Sequence, residues 1–188
     1  YVAHAKEMGW EVPKEPLIFL KPSTSVIGPG DEIRCPPQSK EVHHEAELGV
    51  VVGRPLTRVS PSEARLGVLG WTCVNDVTAR DIQREEKQFT RAKGFDTFCP
   101  IGPWIETNLD PLEVSVVCRV NGAERQRGYP RDMAFDPFAV LSYVSHVMTL
   151  LPGDVIATGT PEGVGPIQRG DWVEVEVTGI GVLKNPVV

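Results

Sequence analysis

The 188-residue chain has only four cysteines, and none of them stands in a Cys-x-x-Cys pair. Zinc ribbons and thioredoxin-like redox sites need that spacing, so both are excluded. Cys73 and Cys118 lie inside apolar, strand-like runs, and reduced thiols in a cytoplasmic protein are the reading. Long hydrophobic runs are also missing. No stretch approaches the ~20 apolar residues that cross a bilayer, and the opening Tyr1-Val2-Ala3-His4-Ala5-Lys6-Glu7 carries no apolar secretion segment. Excess positive charge is absent too. The net charge is -6 and Lys and Arg are scattered, which leaves no footprint for nucleic acid or a membrane surface. Internal repeats, low-complexity tracts and linkers do not occur. The hydrophobic content of 41% and charged content of 23% fit a globular protein. A single domain over 1–188 is expected, as the core of a longer polypeptide, since the chain opens on Tyr1 rather than Met.

Gly (18) and Pro (17) are frequent and spread out, which predicts many short elements joined by tight turns. Leu17-Ile18-Phe19-Leu20 reads as a short strand, and Pro29-Gly30-Asp31 as a turn. His43 to Gly53 reads as one strand and Gly67 to Asn75 as another. Val77 to about Gln88 reads as a helix with Asp76 as its N-cap. Leu112, Val114, Val116, Cys118 and Val120 alternate along a strand that Asn121-Gly122 turns into a hairpin. Asp136-Pro137 opens a helix with Phe138, Leu141, Val144, Met148 and Leu151 on one face, stopped by Pro152-Gly153. Val173, Val175 and Val177 form a last long strand paired with Gly181-Val182-Leu183. Strands dominate and do not alternate regularly with helices. The fold class is therefore α+β, mainly β: a curled, mixed β-sheet roll.

The chemistry centres on carboxylates. Side chains at i and i+2 of a strand share a face, so Glu45 and Glu47 leave the chain together and repel unless a cation sits between them. Asp76, at the end of the next apolar run, offers a third oxygen ligand. Three carboxylates without paired Cys favour Mg²⁺ or Mn²⁺ over Zn²⁺, although Glu-x-Glu on a strand is more often a solvated face. His43 shares the face of the two glutamates and His44 points away, so at least one of them has a structural role.

Other groups carry similar alternatives. His4 and Glu7 share a face if the first residues are helical. That pair orients a general base, or it is a solvated surface turn. Lys93 sits between small residues and Phe95, where it stabilises an enolate or a substrate carboxylate, or is a surface lysine. Thr158-Gly159-Thr160-Pro161-Glu162-Gly163-Val164-Gly165 follows a strand and lacks the Gly-Lys-Ser/Thr of a Walker loop; it binds an oxygen anion or is a tight loop.

Taken in order, Tyr1-x-x-His4-x-x-Glu7, Phe19-Leu20-Lys21-Pro22, His43 to Gly53, Asn75-Asp76-Val77-Thr78-Ala79-Arg80-Asp81-Ile82-Gln83, Ala92-Lys93 and Thr158 to Gly165 make a pattern. It resembles the catalytic domain of the fumarylacetoacetate hydrolase family, from Tyr1 to Val187. The resemblance implies a mixed β-roll, a homodimer, and Mg²⁺ or Mn²⁺ held by Glu45, Glu47 and Asp76. It implies that His4 and Glu7 sit on a lid over bound substrate. It also implies that Lys93 and Gln83 contact substrate or its enolate, and that Thr160 meets a substrate carboxylate through its hydroxyl or amide. The Gly-x-Asn that often precedes the tyrosine, and an N-terminal extension, are missing here.

The expected partner is a small carboxylic acid of the 2-oxo or β-diketo type. Three readings follow: C–C hydrolysis of acylpyruvates or decarboxylation of oxaloacetate, isomerisation of a hydroxyhepta-diene-dioate or carboxymethyl-hydroxymuconate, and a metal-binding module without turnover. The His4–Glu7 dyad leans toward the first, because tautomerisation needs no activated water.

Overall fold

The computed structural model describes residues 1–188. Its strands are β1 Val26–Ile27, β2 Val42–His44, β3 Ala46–Val52, β4 Val68–Asn75, β5 Thr78–Ala79, β6 Cys99–Glu106, β7 Val116–Val120, β8 Ala123–Gly128, β9 Val155–Ala157, β10 Gly165–Ile167, β11 Trp172–Val177 and β12 Gly181–Pro186. The helices are short: α1 Val2–Glu7, α2 Pro61–Arg65, α3 Arg80–Glu85, α4 Thr90–Lys93 and α5 Pro137–Val147. None is long and apolar enough to cross a membrane.

Three sheets carry the fold, in the orders β1-β6-β4-β3-β9, β10-β2-β5 and β12-β11-β7-β8. The β1–β6 pair is parallel and the other pairs are antiparallel. This is the expected mainly-β, mixed-sheet roll. All seven residues of β3 are buried, since β4 and β9 flank it and β7 and β11 lie against it. Leu48, Val50 and Val52 join Val175, Leu183 and Leu141 in one cluster of 31 buried residues. Each fully buried Val or Leu contributes about 1.5–3 kcal/mol.

Several local expectations hold. Asn121 (φ 52) and Gly122 (φ 79) supply the two left-handed residues that join β7 to β8. The Asp136 carboxylate accepts the Phe138 and Ala139 N–H groups at the start of α5. β11 pairs with β12 over Val173–Val177.

Others need correction. The run from His43 to Gly53 is two strands in two sheets, broken at Glu45. The Glu45 N–H is taken by the Asn75 side chain, and the sheet changes partner there. The helix expected from Val77 starts at Arg80, with Ala79 at its N-cap rather than Asp76. Thr78–Ala79 pair with β2 instead, and the Asp76 carboxylate is drawn to lysines. Leu17–Leu20 forms no strand; Pro13, Pro16 and Pro22 around it offer no backbone N–H to a ladder. The Leu112–Val120 strand begins at Val116, because Asp110 caps a turn through the Leu112 N–H. Helix α5 ends at Val147 with Met148 extended, so Leu150 pairs with Leu56 and Leu151 is exposed.

Candidate metal and substrate site

The break between β2 and β3 places Glu45 and Glu47 toward one point, and the end of β4 brings Asp76 to it. One ligand oxygen from each lies within 4.8 Å of the others, and all three residues are buried. Like charges in a dry setting demand compensation. Lys93, at the end of α4 and only 2% exposed, supplies part of it. Its Nζ donates to Glu45 Oε2 at 2.7 Å and to Asp76 Oδ2 at 2.5 Å. Lys21 Nζ donates to Asp76 Oδ1 at 2.6 Å. Arg80 donates to Glu45 Oε1 and to the Gln83 side-chain oxygen Oε1.

Glu47 is left with the least. Its carboxylate accepts the Gly159 N–H at 2.6 Å and no cation. Burial, then the neighbouring Asp76 and Glu45 charges, push its carboxyl up to about 8. Burial raises Glu45 too, but Lys93 and Arg80 outweigh it and hold Glu45 at about 2. Burial works against the Lys93 ammonium, yet Asp76 and Glu45 raise it above the ordinary lysine value. An all-oxygen donor set with one uncompensated carboxylate fits a hard divalent ion such as Mg²⁺ or Mn²⁺.

His4 and Glu7 share a face of α1, as the spacing predicts, with Nδ1 to Oε2 at 3.1 Å. Desolvation lowers the imidazole below the ordinary value despite the raising influence of Glu45 and Glu7, so His4 is neutral near pH 7 and able to accept a proton. Glu7 also accepts the Gly163 N–H with both oxygens. Gly163 has φ +93, and a Cβ there would lie 2.1 Å from the Arg125 carbonyl oxygen, so only glycine fits.

The 158–165 loop does bind carboxylate oxygens, and they belong to the protein: Gly159 holds Glu47 and Gly163 holds Glu7. The Thr160 hydroxyl is committed inside the fold. It donates to the Ala46 carbonyl at 2.9 Å and accepts from Gln126 at 2.7 Å. The Thr160 backbone N–H bonds to no protein group. Gln83 is buried against Arg80. The histidines lie outside the three-carboxylate group: His43 bonds Glu41 and Arg80, and His44 bonds Gln126.

Three contributors escape sequence reading. Lys21 and Arg80 stand inside quoted motifs, but nothing in their spacing shows that they reach Asp76 and Glu45. Gln126, on β8 and 1% exposed, carries no motif of its own. Its Oε1 accepts the Ala46 N–H and faces His44 Nδ1, while its Nε2 donates to Thr160 and to the Pro161 carbonyl. The Ala46 N–H can only donate and the Pro161 oxygen can only accept, which fixes the amide orientation and puts a proton on His44 Nδ1.

Residues 1–188 match the family described as Fumarylacetoacetate (FAA) hydrolase C-terminal. The chain is 54% identical to 5-carboxymethyl-2-hydroxymuconate delta-isomerase from Mycobacterium smegmatis, with a TM-score of 0.94, covering 100% of this chain and 75% of that one. It is 52% identical to 2-hydroxyhepta-2,4-diene-1,7-dioate isomerase from Mycobacterium marinum, with a TM-score of 0.92 over 94% of this chain and 70% of that one. A mitochondrial oxaloacetate tautomerase of Homo sapiens is 44% identical over 200 residues, covering 100% of this chain and 64% of the human protein.

Proposed function

Since the chain belongs to the fumarylacetoacetate hydrolase family, we propose that it is a divalent-metal-dependent enzyme that moves a proton on small 2-oxo acids, a keto–enol tautomerase or isomerase. The observation that carries this reading is the meeting of three buried carboxylates and Lys93 with a neutral imidazole held by Glu7. The named functions of the three relatives support it, since each interconverts isomers.

Glu45, Glu47 and Asp76 would hold the ion. A bound Mg²⁺ or Mn²⁺ supplies Lewis-acid stabilisation of negative charge on the oxygens of a 2-oxo acid. His4 takes the proton from the carbon next to the 2-oxo group and returns it to the enolate oxygen, or for isomerisation to a distal carbon of the conjugated system, while Glu7 fixes its tautomer and stabilises the imidazolium in between. Lys93 places positive charge beside the developing enolate oxygen. The free Thr160 N–H accounts for substrate carboxylate binding better than its hydroxyl does, since the hydroxyl is engaged. Gln83 orients Arg80, and through it Glu45.

A second reading is hydrolysis of an acylpyruvate-type C–C bond or decarboxylation of oxaloacetate. The Glu7-oriented His4 favours it, because the same base can deprotonate water. The proposal includes a homodimer, supported by Leu69, Trp104 and Ile105, which are exposed on the paired strands β4 and β6. Light scattering tests it. The four free cysteines are consistent with a reducing, cytoplasmic compartment.

The deciding experiment follows oxaloacetate, acetylpyruvate and a hydroxymuconate-type diene by absorbance and by pyruvate release, with Mg²⁺ and with EDTA. Mg²⁺-dependent spectral change without pyruvate establishes proton transfer. Pyruvate release moves the protein to the hydrolase or decarboxylase reading. Metal binding with no turnover on any of the three leaves a binding module.

A further inference from the structure

Arg80 is the bulkiest side chain to be wholly buried in this protein, at 1% exposure. A guanidinium out of water needs acceptors for its N–H groups, and three side chains supply them. One terminal nitrogen donates to Glu45 Oε1, the other donates to Gln83 Oε1, and Nε donates to His43 Nδ1 at 3.4 Å. The two terminal contacts leave the guanidinium free to swing about the line that joins their acceptors. The Nε contact lies off that line and fixes the plane.

His43 can do this in only one tautomer. Arginine always donates, so Nδ1 must present its lone pair. At the far side of the ring, Nε2 stands 2.9 Å from Glu41 Oε1, and a carboxylate only accepts, so the proton sits there. Glu41 is itself gripped by Arg84 through hydrogen bonds of 2.7 and 2.9 Å. The backbone holds the same groups in place: the Arg80 N–H donates to the Glu41 carbonyl at 2.7 Å, which ties the start of α3 to the residue before β2. A continuous line of contacts therefore runs from Arg84 at the surface through Glu41, His43 and Arg80 to Glu45. His43 is buried and bonds to none of the three clustered carboxylates.

We infer that His43 is a positioning residue of the ion site: its Nδ1 lone pair sets the plane of Arg80, and Arg80 sets the aim of the Glu45 carboxylate. The inference rests on the assignment of Glu45, Glu47 and Asp76 to the divalent ion and deepens it. Groups that orient a metal ligand govern affinity nearly as strongly as the ligands do, and losing one costs about 10- to 100-fold.

A pair of amide substitutions separates this role from packing. Asparagine places its oxygen near the position of Nδ1 and keeps an acceptor for Arg80. Glutamine is closer to histidine in volume and reaches Glu41, but it offers nothing at Nδ1. Circular dichroism first establishes that both variants fold. Mn²⁺ calorimetry at neutral pH is then expected to give His43→Asn a dissociation constant within about threefold of the parent, and His43→Gln one weaker by about 10- to 100-fold. Packing alone would rank the two the other way. Heteronuclear NMR of the ion-free parent is expected to show His43 protonated at Nε2 and bare at Nδ1. Parent-like affinity in His43→Gln, or affinity in His43→Asn as weak as in His43→Gln, overturns the positioning role and leaves the ligand assignment standing. A proton on Nδ1 overturns it as well, and that measurement decides alone if neither variant folds. If the parent itself binds no Mn²⁺, the metal reading falls and this inference falls with it.

Discussion

Glu7 and Gly163 stand 156 positions apart, and both carboxylate oxygens of Glu7 accept the Gly163 N–H, at 3.0 and 3.2 Å. The same carboxylate holds His4 Nδ1 at 3.1 Å. One side chain thus latches the first helix to the loop that also holds Glu47, and it aims the imidazole. Removing it leaves the Glu45, Glu47 and Asp76 carboxylates untouched. Glu7→Ala is expected to lower turnover by about 10²- to 10³-fold, with the Mn²⁺ dissociation constant within about threefold of the parent. Steady-state kinetics beside Mn²⁺ calorimetry check this, and a parallel loss of metal binding would show that the latch acts on the cluster itself.

Glu47 governs how metal binding varies with pH. Burial and its two carboxylate neighbours raise it to about 8 in the ion-free protein, and a cation needs it ionised. Below pH 8 each bound ion therefore displaces a proton. Metal affinity should climb by up to about tenfold per pH unit between 6 and 8 and level off above. The sign for stability is opposite. A carboxyl with a raised folded pKa binds more protons folded than unfolded, so the ion-free protein loses stability as pH rises from the ordinary glutamate range through 8. Excess Mg²⁺ should flatten that loss. Glu47→Ala should abolish divalent-ion binding. Titrations at several pH values, and melting curves with EDTA or Mg²⁺, measure both effects; stoichiometric Mn²⁺ binding by Glu47→Ala would reject the ligand assignment.

Much of this site is legible in the sequence because its parts are local. Glu45 and Glu47 are two apart, His4 and Glu7 are one helical turn apart, and Asp76 closes an apolar run. Each spacing has a geometric meaning that does not depend on the rest of the fold. What stays hidden is the long-range pairing. Lys21 meets Asp76 across 55 positions and Lys93 meets Glu45 across 48. Alternation cannot report such contacts. The misplaced boundaries have a similar origin. The run through Glu45 is apolar enough for one strand, and only the switch of sheet partner, set by Asn75 and β5, divides it. Asp76 has the chemistry of a helix cap, but two lysines compete for its carboxylate and win.

Gln126 joins β8, the Ala46 backbone between two of the clustered carboxylates, and the Thr160–Pro161 loop through four hydrogen bonds. Leucine at this position would fill similar space and satisfy none of them. Gln126→Leu is expected to cost about 2–4 kcal/mol of stability, because buried donors and acceptors are left unpaired on both sides. Urea denaturation with EDTA present measures it without interference from the ion. A loss below about 0.5 kcal/mol would mean that water replaces the amide at little cost.

Lys93 offers the sharpest separation of binding from turnover. Its ammonium bridges Glu45 and Asp76, so it offsets their charge and also competes with a cation for the same oxygens. Lys93→Met keeps most of the side-chain volume and removes the charge. The ion-free variant should be less stable than the parent by about 3–5 kcal/mol, the cost of stripping a partner from buried carboxylates. Mg²⁺ should then restore more stability to the variant than it adds to the parent, since the freed carboxylates bind the ion at least as tightly. Turnover should nonetheless fall by about 10²-fold or more, because the ammonium placed beside the developing enolate is lost, while Lys21 and Arg80 stay on Asp76 and Glu45. Thermal melts with and without Mg²⁺, Mn²⁺ calorimetry and kinetics on one preparation decide the matter. Weaker metal binding with unchanged kcat would make Lys93 a structural counter-ion and remove it from the reaction.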